Sequence, residues 1–586
     1  MTKQTAKHPL TTKPLLMARL AGTQAEMGAQ HGRLVAEDAV RLVEFYRTMP
    51  ERALVGDMTG IAGKIGRATA RAIATAWQAR LHRDRPAELL DRTRAFMEAV
   101  LAAAPGAPTK RDALLTVATM DSLQNCVSLV ARSKLGPFAN PLQPRAAAAA
   151  IPACSTVIAW GDATADGELL FSRNFDFPGV GVWDAAPAFV VCAPTGGQRY
   201  GFFATRGADA PVVTCVNEAG LVIAPHTRWH VGVKFGGAMI VDLIHDIARR
   251  AETLEDAIAI ARERHTSSTW GVAIGSAREK SGLVLEIAGP SVEVVRPAPG
   301  ASFLVCANRY RSDAMQAGQV AASAAWSQHS ERRERRLRFL VENRTAPLTA
   351  ETVAKFMGDR HDVEAPAKRR RLGGILAQPT NVHCVVVSPA ARRALVGVDR
   401  APCCEGTWAE LAWSWDGPSG GWQLDATGAG AVAPLDASSG FTAKLRSDVV
   451  APHDAATLHV HEAARAYESE HDVPAARASL EAAVAFDPDD PSLRLGAAWL
   501  AYEDRAYDRA VVHVRAGLAH ETESYRRGQL LLWGARAAQI IDPAQATRWN
   551  DELAQLSGPH VEELKAAARK RFRRRPHVNL MMADAY

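Results

Sequence analysis

Cys154 is the residue in this chain whose setting most resembles that of a nucleophile. It lies in "AAAAAIPACSTVIAWGDATADGELLFSRNFDF", residues 146–177, between a soft alanine-rich leader and a strand-like run. A thiol attacks a carbonyl as its thiolate, so it needs a base. If the Ala153–Cys154 bond were cut, the cysteine would carry a free α-amino group. Such an amine has a pKa of roughly 8, close enough to neutrality to serve as base to its own thiol, and no histidine is then required. Residue type alone favours a buried strand thiol like Cys192 or Cys215. What sets Cys154 apart is its place at the start of the strand region, directly after the leader.

Arg173 and Asp176 follow nineteen and twenty-two residues later. The runs "STVIAW" and "ELLFSRNF", with "GDATADG" between them, predict a β-hairpin, which returns the second strand to the start of the first. Arginine and aspartate are thereby brought beside the cysteine. An odd spacing separates them, so they do not share a face of a straight strand, and one must bend in through the turn at "DFPG". An arginine near the thiol favours thiolate, and an aspartate can hold an ammonium or orient an amine.

Stepping outward, residues 15–135 carry apolar positions at helical spacing and read as helical. Residues 136–153 combine proline, glycine and alanine and read as a linker. From Cys154 to about Asp313, short β-branched and aromatic runs such as "AFVVCAP", "RYGFFAT", "LVIAP" and "FLVCANRY" predict strands, interrupted by a helical block beginning "AMIVDLIHDIARR". Helices return at 330–358, and "NVHCVVVSP", "RRALVGVD" and "WAELAWSW" predict further strands. Strands in runs with helices between the runs point to an α+β, layered architecture. Beyond a loop-like stretch in 430–455, segments from His471 and Arg505 align at an offset of 34, with Ala476 matching Ala510 and Val484 matching Leu518; a third copy places Ala544 a further 34 on. A helical period of 34 resembles a tetratricopeptide repeat, whose units bury their apolar faces against their neighbours. The expected division is 1–450 and 451–586, with residues 456–560 forming antiparallel helical pairs that can be removed without loss of the first part.

The composition narrows the function. At 586 residues, 47% apolar and 23% charged, the chain can hold a sizeable core and more than one domain. A net charge of +6 is small for this length and gives no reason to expect nucleic acid. The basic runs "KRRR" at 368–371 and "RKRFRRRP" at 569–576 read first as solvated surface, second as a polyanion or acidic-partner site. Eight cysteines without a CxxC pair read as reduced thiols. With no secretory-type apolar region near the N-terminus and no run of about eighteen apolar residues, the expectation is a cytoplasmic protein without a membrane span. His31 reads as a helix-packing residue, and His459 with His461 as a surface pair rather than a metal site. No P-loop, Rossmann fingerprint or zinc constellation is apparent, so no cofactor or metal is expected.

The block 154–177 resembles the N-terminal-nucleophile hydrolases, and within them the peptidase C45 group, the acyl-coenzyme A:6-aminopenicillanic acid acyltransferase family. Choloylglycine hydrolases and acid ceramidases are more distant relatives. "LAGTQAEMGAQHGRLV", "CVNEAGLVIAP", "CANRY", "SERRERRLRFL" and "DRAPCCEGTW" resemble further family segments in the right order, over roughly residues 15–425. The chain departs from the pattern at Ala153, where the family often has glycine, at Arg309, where it has histidine, and in the C-terminal repeats. The resemblance implies a four-layer αββα fold and self-cleavage between 153 and 154. It implies Cys154 as nucleophile, Arg173 and Asp176 as its supports, Asn308 as an oxyanion-hole donor, and Asn217 lining the same hole through its backbone. The activity implied is amide hydrolysis or acyl transfer on a small-molecule substrate through an acyl-cysteine.

Two other readings compete. One is an inert scaffold of the same fold that binds a protein partner through its repeats. The other is a Cys-His hydrolase using His226 or His383.

Overall fold

The structure, a computed structural model, describes residues 12–55, 60–104, 117–132, 153–320, 324–365, 369–424 and 433–569. Two sheets carry the fold. The ten-stranded sheet holds β1 (Leu16–Gly22), β4 (Pro187–Pro194), β5 (Tyr200–Thr205), β6 (Thr214–Asn217), β7 (Leu221–Thr227), β8 (Thr269–Ser276), β9 (Ser281–Ala288), β10 (Ser291–Val295), β15 (Gly420–Gln423) and β16 (Ala433–Pro434). Their spatial order is β10-β9-β8-β7-β6-β5-β4-β1-β15-β16. The seven-stranded sheet holds β2 (Ala153–Ala159), β3 (Leu170–Asp176), β11 (Phe303–Cys306), β12 (Asn381–Ser388), β13 (Arg393–Gly397), β14 (Trp408–Trp413) and β17 (Phe441–Arg446), in the order β11-β2-β3-β12-β13-β14-β17.

Side-chain alternation along these strands builds three apolar layers. Phe189 and Val191 of β4, Val222 and Ala224 of β7 and Ile158 of β2 meet Val385 and Val387 of β12 between the sheets. Ala188 and Val190 of β4 point the other way, into a helical layer. That layer includes α1 (Gln24–Leu34), α2 (Ala36–Val55), α3 (Gly60–Arg83), α4 (Ala87–Ala103), α5 (Thr119–Arg132), α6 (Ile240–Arg250) and α7 (Leu254–Arg264). After the short α8 (Asp313–Gln316), α9 (Ala324–Glu342) and α10 (Ala350–Met357) cover the outer face of the seven-stranded sheet, against Val157, Val386 and Leu395. The order of layers is helices, sheet, sheet, helices. No helix among the described residues is long and apolar enough to cross a membrane.

Residues 16–22, expected to be helical, form β1, parallel to β4. Leu16, Ala18 and Leu20 face the helices and Met17 the opposite sheet. A short run that is apolar on both faces carries no period to separate strand from helix. The segment that follows behaves as read: Thr23 and Glu26 form a capping box at the start of α1. Its glycines let α1 approach α4 closely, because a Cβ on Gly28 would stand 2.3 Å from the Arg92 carbonyl oxygen and one on Gly32 2.4 Å from that of Phe96. The linker 136–152 lies outside the described residues, as does the C-terminal run from residue 570.

After β17 the chain enters α11 (Ala455–Arg465), a π-helical turn (Ala466–Glu470), α12 (Val473–Phe486), α13 (Pro491–Glu503), α14 (Tyr507–His520), α15 (Ser524–Ile541), α16 (Pro543–Gln555) and α17 (Val561–Ala568). The starts of α12 and α14 differ by 34 and those of α14 and α16 by 36. Ala476, Ala510 and Ala546 are each fully buried, whereas Ala544 is exposed. The buried alanine of α16 therefore sits two residues later than a strict period of 34 would place it.

Arg370 and Arg371 of the first basic run are not solvated, while Arg369 is exposed. Arg370 is buried between Asp362 (2.5 Å) and Glu521 (2.8 Å), and Arg526 reaches the same Asp362 at 2.6 Å. Arg371 pairs with Asp454 and Asp487, each at 2.9 Å. One continuous apolar cluster joins Val180 and Leu372 to Val460, Tyr467, Leu480 and Trp499. These contacts run against the expectation that the C-terminal helices can be removed without disturbing the rest. His461 is buried rather than on the surface, its Nδ1 3.0 Å from the Ala401 carbonyl oxygen, while His459 stacks on Phe486.

Candidate active site

The hairpin β2–β3 pairs Cys154 with Phe175 and Ala153 with Asp176. Opposed residues share a face, and so do alternate ones. Cys154, Phe175 and Arg173 thus lie together, and Arg173 Nη2 sits 3.0 Å from the Cys154 sulfur while donating to the Pro225 carbonyl at 2.5 Å. Asp176 belongs to the other face, where its carboxylate accepts from Asn381 Nδ2 at 2.8 Å. Asn381 Oδ1 in turn accepts the Cys404 N–H at 2.8 Å. The ladder between β3 and β12 is irregular at Asn381–His383, which is where Asp176 is held.

Asn308 follows β11 and reaches Cys154 from the opposite side. Its Oδ1 accepts the Cys154 backbone N–H at 2.7 Å, and its Nδ2 donates to the Thr227 carbonyl at 3.0 Å. Its own N–H is fixed by Ser330 Oγ at 2.9 Å. Arg333 on α9 is a fourth member that the sequence reading did not single out. It donates to the Cys154 carbonyl at 2.6 Å, to Ser155 Oγ at 2.9 Å and to Asn308 Oδ1 at 3.0 Å. Its segment, "SERRERRLRFL", was noted, but nothing local marks which arginine of that helix turns inward.

Asn217 is placed elsewhere. It ends β6, and its side chain binds the Ala248 and Ala251 carbonyls at 3.2 and 2.8 Å and the Leu221 N–H at 2.9 Å. It pins the β6–β7 turn to the end of α6, whereas Arg173 and Asn308, the partners of Cys154, meet β7 at its far end, at Pro225 and Thr227. His226 bonds Thr156 Oγ1 at 3.0 Å through Nε2, and burial pushes it well below the usual histidine range. Burial and Arg173 push His383 down to about 3. Neither is disposed as base to Cys154. His31 packs on Phe96 and also binds Asp209 at 2.8 Å.

Electrostatics around the thiol oppose one another. Burial pushes the Cys154 thiol up, and the Arg173 guanidinium is the largest influence pulling it down. Burial likewise raises Asp176 to about 7, against the pull of Arg333. Arg173 Nε and Nη1 and Asp176 Oδ2 are buried without a protein partner among the described residues.

A cavity of about 110 Å³ opens beside this cluster. Phe175, Pro225 and Thr227 border it on the Cys154 side, and Tyr46, Phe96, Trp183 and Trp270 make most of the wall apolar. Asp209 is its one carboxylate among the described residues, paired with Arg92 at 2.6 Å. The described residues contain no cluster of three or more His, Cys, Asp or Glu able to hold a metal.

The family described as acyl-coenzyme A:6-aminopenicillanic acid acyl-transferase matches residues 163–401. The match starts beyond Cys154 and contains Arg173, Asp176, Asn217, Asn308 and Arg333. No curated protein matches the chain. Among solved structures, an N-acylethanolamine-hydrolyzing acid amidase ortholog from Caenorhabditis elegans is 13% identical, covers 40% of this chain and 93% of its own, and has a TM-score of 0.29. Two variants of a conjugated bile acid hydrolase from Clostridium perfringens are 13% and 14% identical. Each covers 41% of this chain and 88% of its own, with TM-scores of 0.28 and 0.27. The matched family and structures are acyltransferases and hydrolases.

Proposed function

We propose that this protein is a cysteine N-terminal-nucleophile amidohydrolase or acyltransferase. Cys154 is its nucleophile, and cleavage between Ala153 and Cys154 activates it. The observation that carries this reading is the convergence of Arg173, Asn308 and Arg333 on Cys154 at the border of an apolar cavity. In activation, the thiol attacks the Ala153 carbonyl carbon and the C–N bond to Cys154 breaks, leaving a thioester. Water then hydrolyses the thioester to give a carboxylate on Ala153 and a free thiol and amine on Cys154.

In turnover the freed amine takes the thiol proton, and the thiolate attacks the substrate acyl carbon. Asn308 Nδ2 has a second hydrogen beyond the one given to Thr227, and this hydrogen serves the oxyanion. Arg173 favours the thiolate, and Asp176 supports the amine. The amine proton passes to the leaving nitrogen, and the acyl-cysteine is transferred to water or to an acceptor amine. The apolar wall suits a hydrophobic acyl group. The 34-residue spacing of α12 and α14 supports a tetratricopeptide-like reading of the C-terminal helices.

The test is alkylation of the purified protein with iodoacetamide, followed by peptide mapping and assay on N-acyl amides. Modification of Cys154 should track loss of activity, and chelators should have no effect. Activity that survives complete modification of Cys154, or that is lost on chelation and restored by zinc, overturns the reading.

A further inference from the structure

The turn that carries Trp183 into the cavity is held from the C-terminal helices. Gly179 accepts the N–H groups of Val182 and Trp183 at 2.9 and 3.0 Å and adopts φ +127°. A Cβ there would crowd Trp183 Cδ1 at 3.0 Å and Phe45 at 3.1 Å. On its other side this turn meets the π-helical turn. Ser469 Oγ donates to the Val180 carbonyl at 2.7 Å, and Glu468 Oε2 accepts the Gly179 N–H at 3.4 Å. Gly181, at φ +82°, leaves room for Arg465, whose Cγ and Cδ a Cβ would meet at 3.1 Å. The turn closes on Asp184, which accepts the Gly181 N–H at 2.6 Å and the Ala401 N–H at 2.9 Å; the Ala401 carbonyl in turn meets His461 at 3.0 Å. Trp183 stands edge-on to Phe175, the residue opposite Cys154, with ring centroids 5.3 Å apart.

A regular helix would carry residues 468 and 469 past this turn at a different angle. The π-helical turn at Ala466–Glu470 presents both at once, and such irregularities recur at functional positions. We propose that Glu468 and Ser469, which lie outside the family-matched stretch, are positioning residues for the substrate: they set the Trp183 wall of the cavity and with it the size of acyl group accepted. This inference rests on the acyl-cysteine reading above.

The experiment uses the full chain with Ser469→Ala, Glu468→Gln, the double variant and Ser469→Thr. Hydrogen exchange of residues 177–184 and steady-state kinetics on short- and long-chain N-acyl amides are measured together. The double variant should exchange faster at 177–184. It should raise KM for the long-chain amide by roughly fivefold, the effect of about one hydrogen bond, with kcat on the short-chain amide unchanged. Ser469→Thr, which keeps the hydroxyl, should leave both at the parent values. Unchanged exchange, or faster exchange with KM values that move equally for both chain lengths, overturns the proposal. If the parent protein turns over no amide, the function reading fails separately. Binding of short and long alkanoic amides by calorimetry then takes the place of KM, and equal weakening of both counts against the wall.

Discussion

The Asn308 side-chain oxygen accepts the backbone N–H of Cys154 at 2.7 Å, across 154 residues of sequence. The same oxygen accepts Arg333. A donor and an acceptor role thus sit on one amide group, and a substitution can separate them. Asn308→Asp keeps the acceptor and removes Nδ2. Turnover should fall about a hundred- to a thousandfold, with KM much less affected because the charge develops in the transition state. Retention of more than half the activity would move the donor role to another residue. Asn217→Ala is the contrasting variant. It loses three hydrogen bonds at a turn, so it should lower the melting temperature and leave turnover near the parent value.

Cys154→Ala should migrate as a single full-length chain on denaturing electrophoresis, whereas the parent should separate into pieces that meet between Ala153 and Cys154. Intact mass gives the junction to the residue. An undivided parent chain with full activity would remove the self-cleavage step.

Arg370→Ala should be among the most destabilising single changes in the molecule. It leaves Asp362 and Glu521 buried with one fewer cation, and breaking a buried pair in this way costs about 3–5 kcal/mol. Arg369→Ala, one residue earlier and exposed, should be neutral. Equal denaturation midpoints for the two variants would return the basic run to the status of ordinary surface.

Asp121 gives a pH signature away from Cys154. It accepts from Trp270 Nε1 at 3.1 Å and from the Ile240 N–H at 3.2 Å, yet burial raises it to about 7. A carboxyl whose folded pKa lies above its unfolded value near 3.9 holds more protons when folded, so stability falls as pH rises between the two values and is constant above the higher. Asp121→Asn cannot ionise. Its stability relative to the parent should rise from pH 4 to pH 8 and then level off, by about 1.4 kcal/mol per pH unit at most. A difference that stays flat across that range contradicts the assignment.

Much of the site was legible because it is local. The hairpin, and with it the approach of Arg173 to Cys154, follows from two alternating apolar runs and a turn within twenty-three residues. The strands from Cys154 onward and the 34-residue offset of α12 and α14 are likewise periodic signals that a chain carries on its face. Other features have no period and depend on what packs across hundreds of residues. Arg333 is one of several arginines on α9, and only the docking of that helix on β2 turns it toward Cys154. Asn217 and Asn308 both sit at strand ends, yet one pins a distal turn and the other meets Cys154. Arg370 and Arg371 read as solvated charge until acidic residues from the C-terminal helices close over them. Local order is written by short-range sterics and side-chain alternation. Which polar group is buried beside which is decided by packing, since a buried charge is tolerated only where the fold brings it a partner.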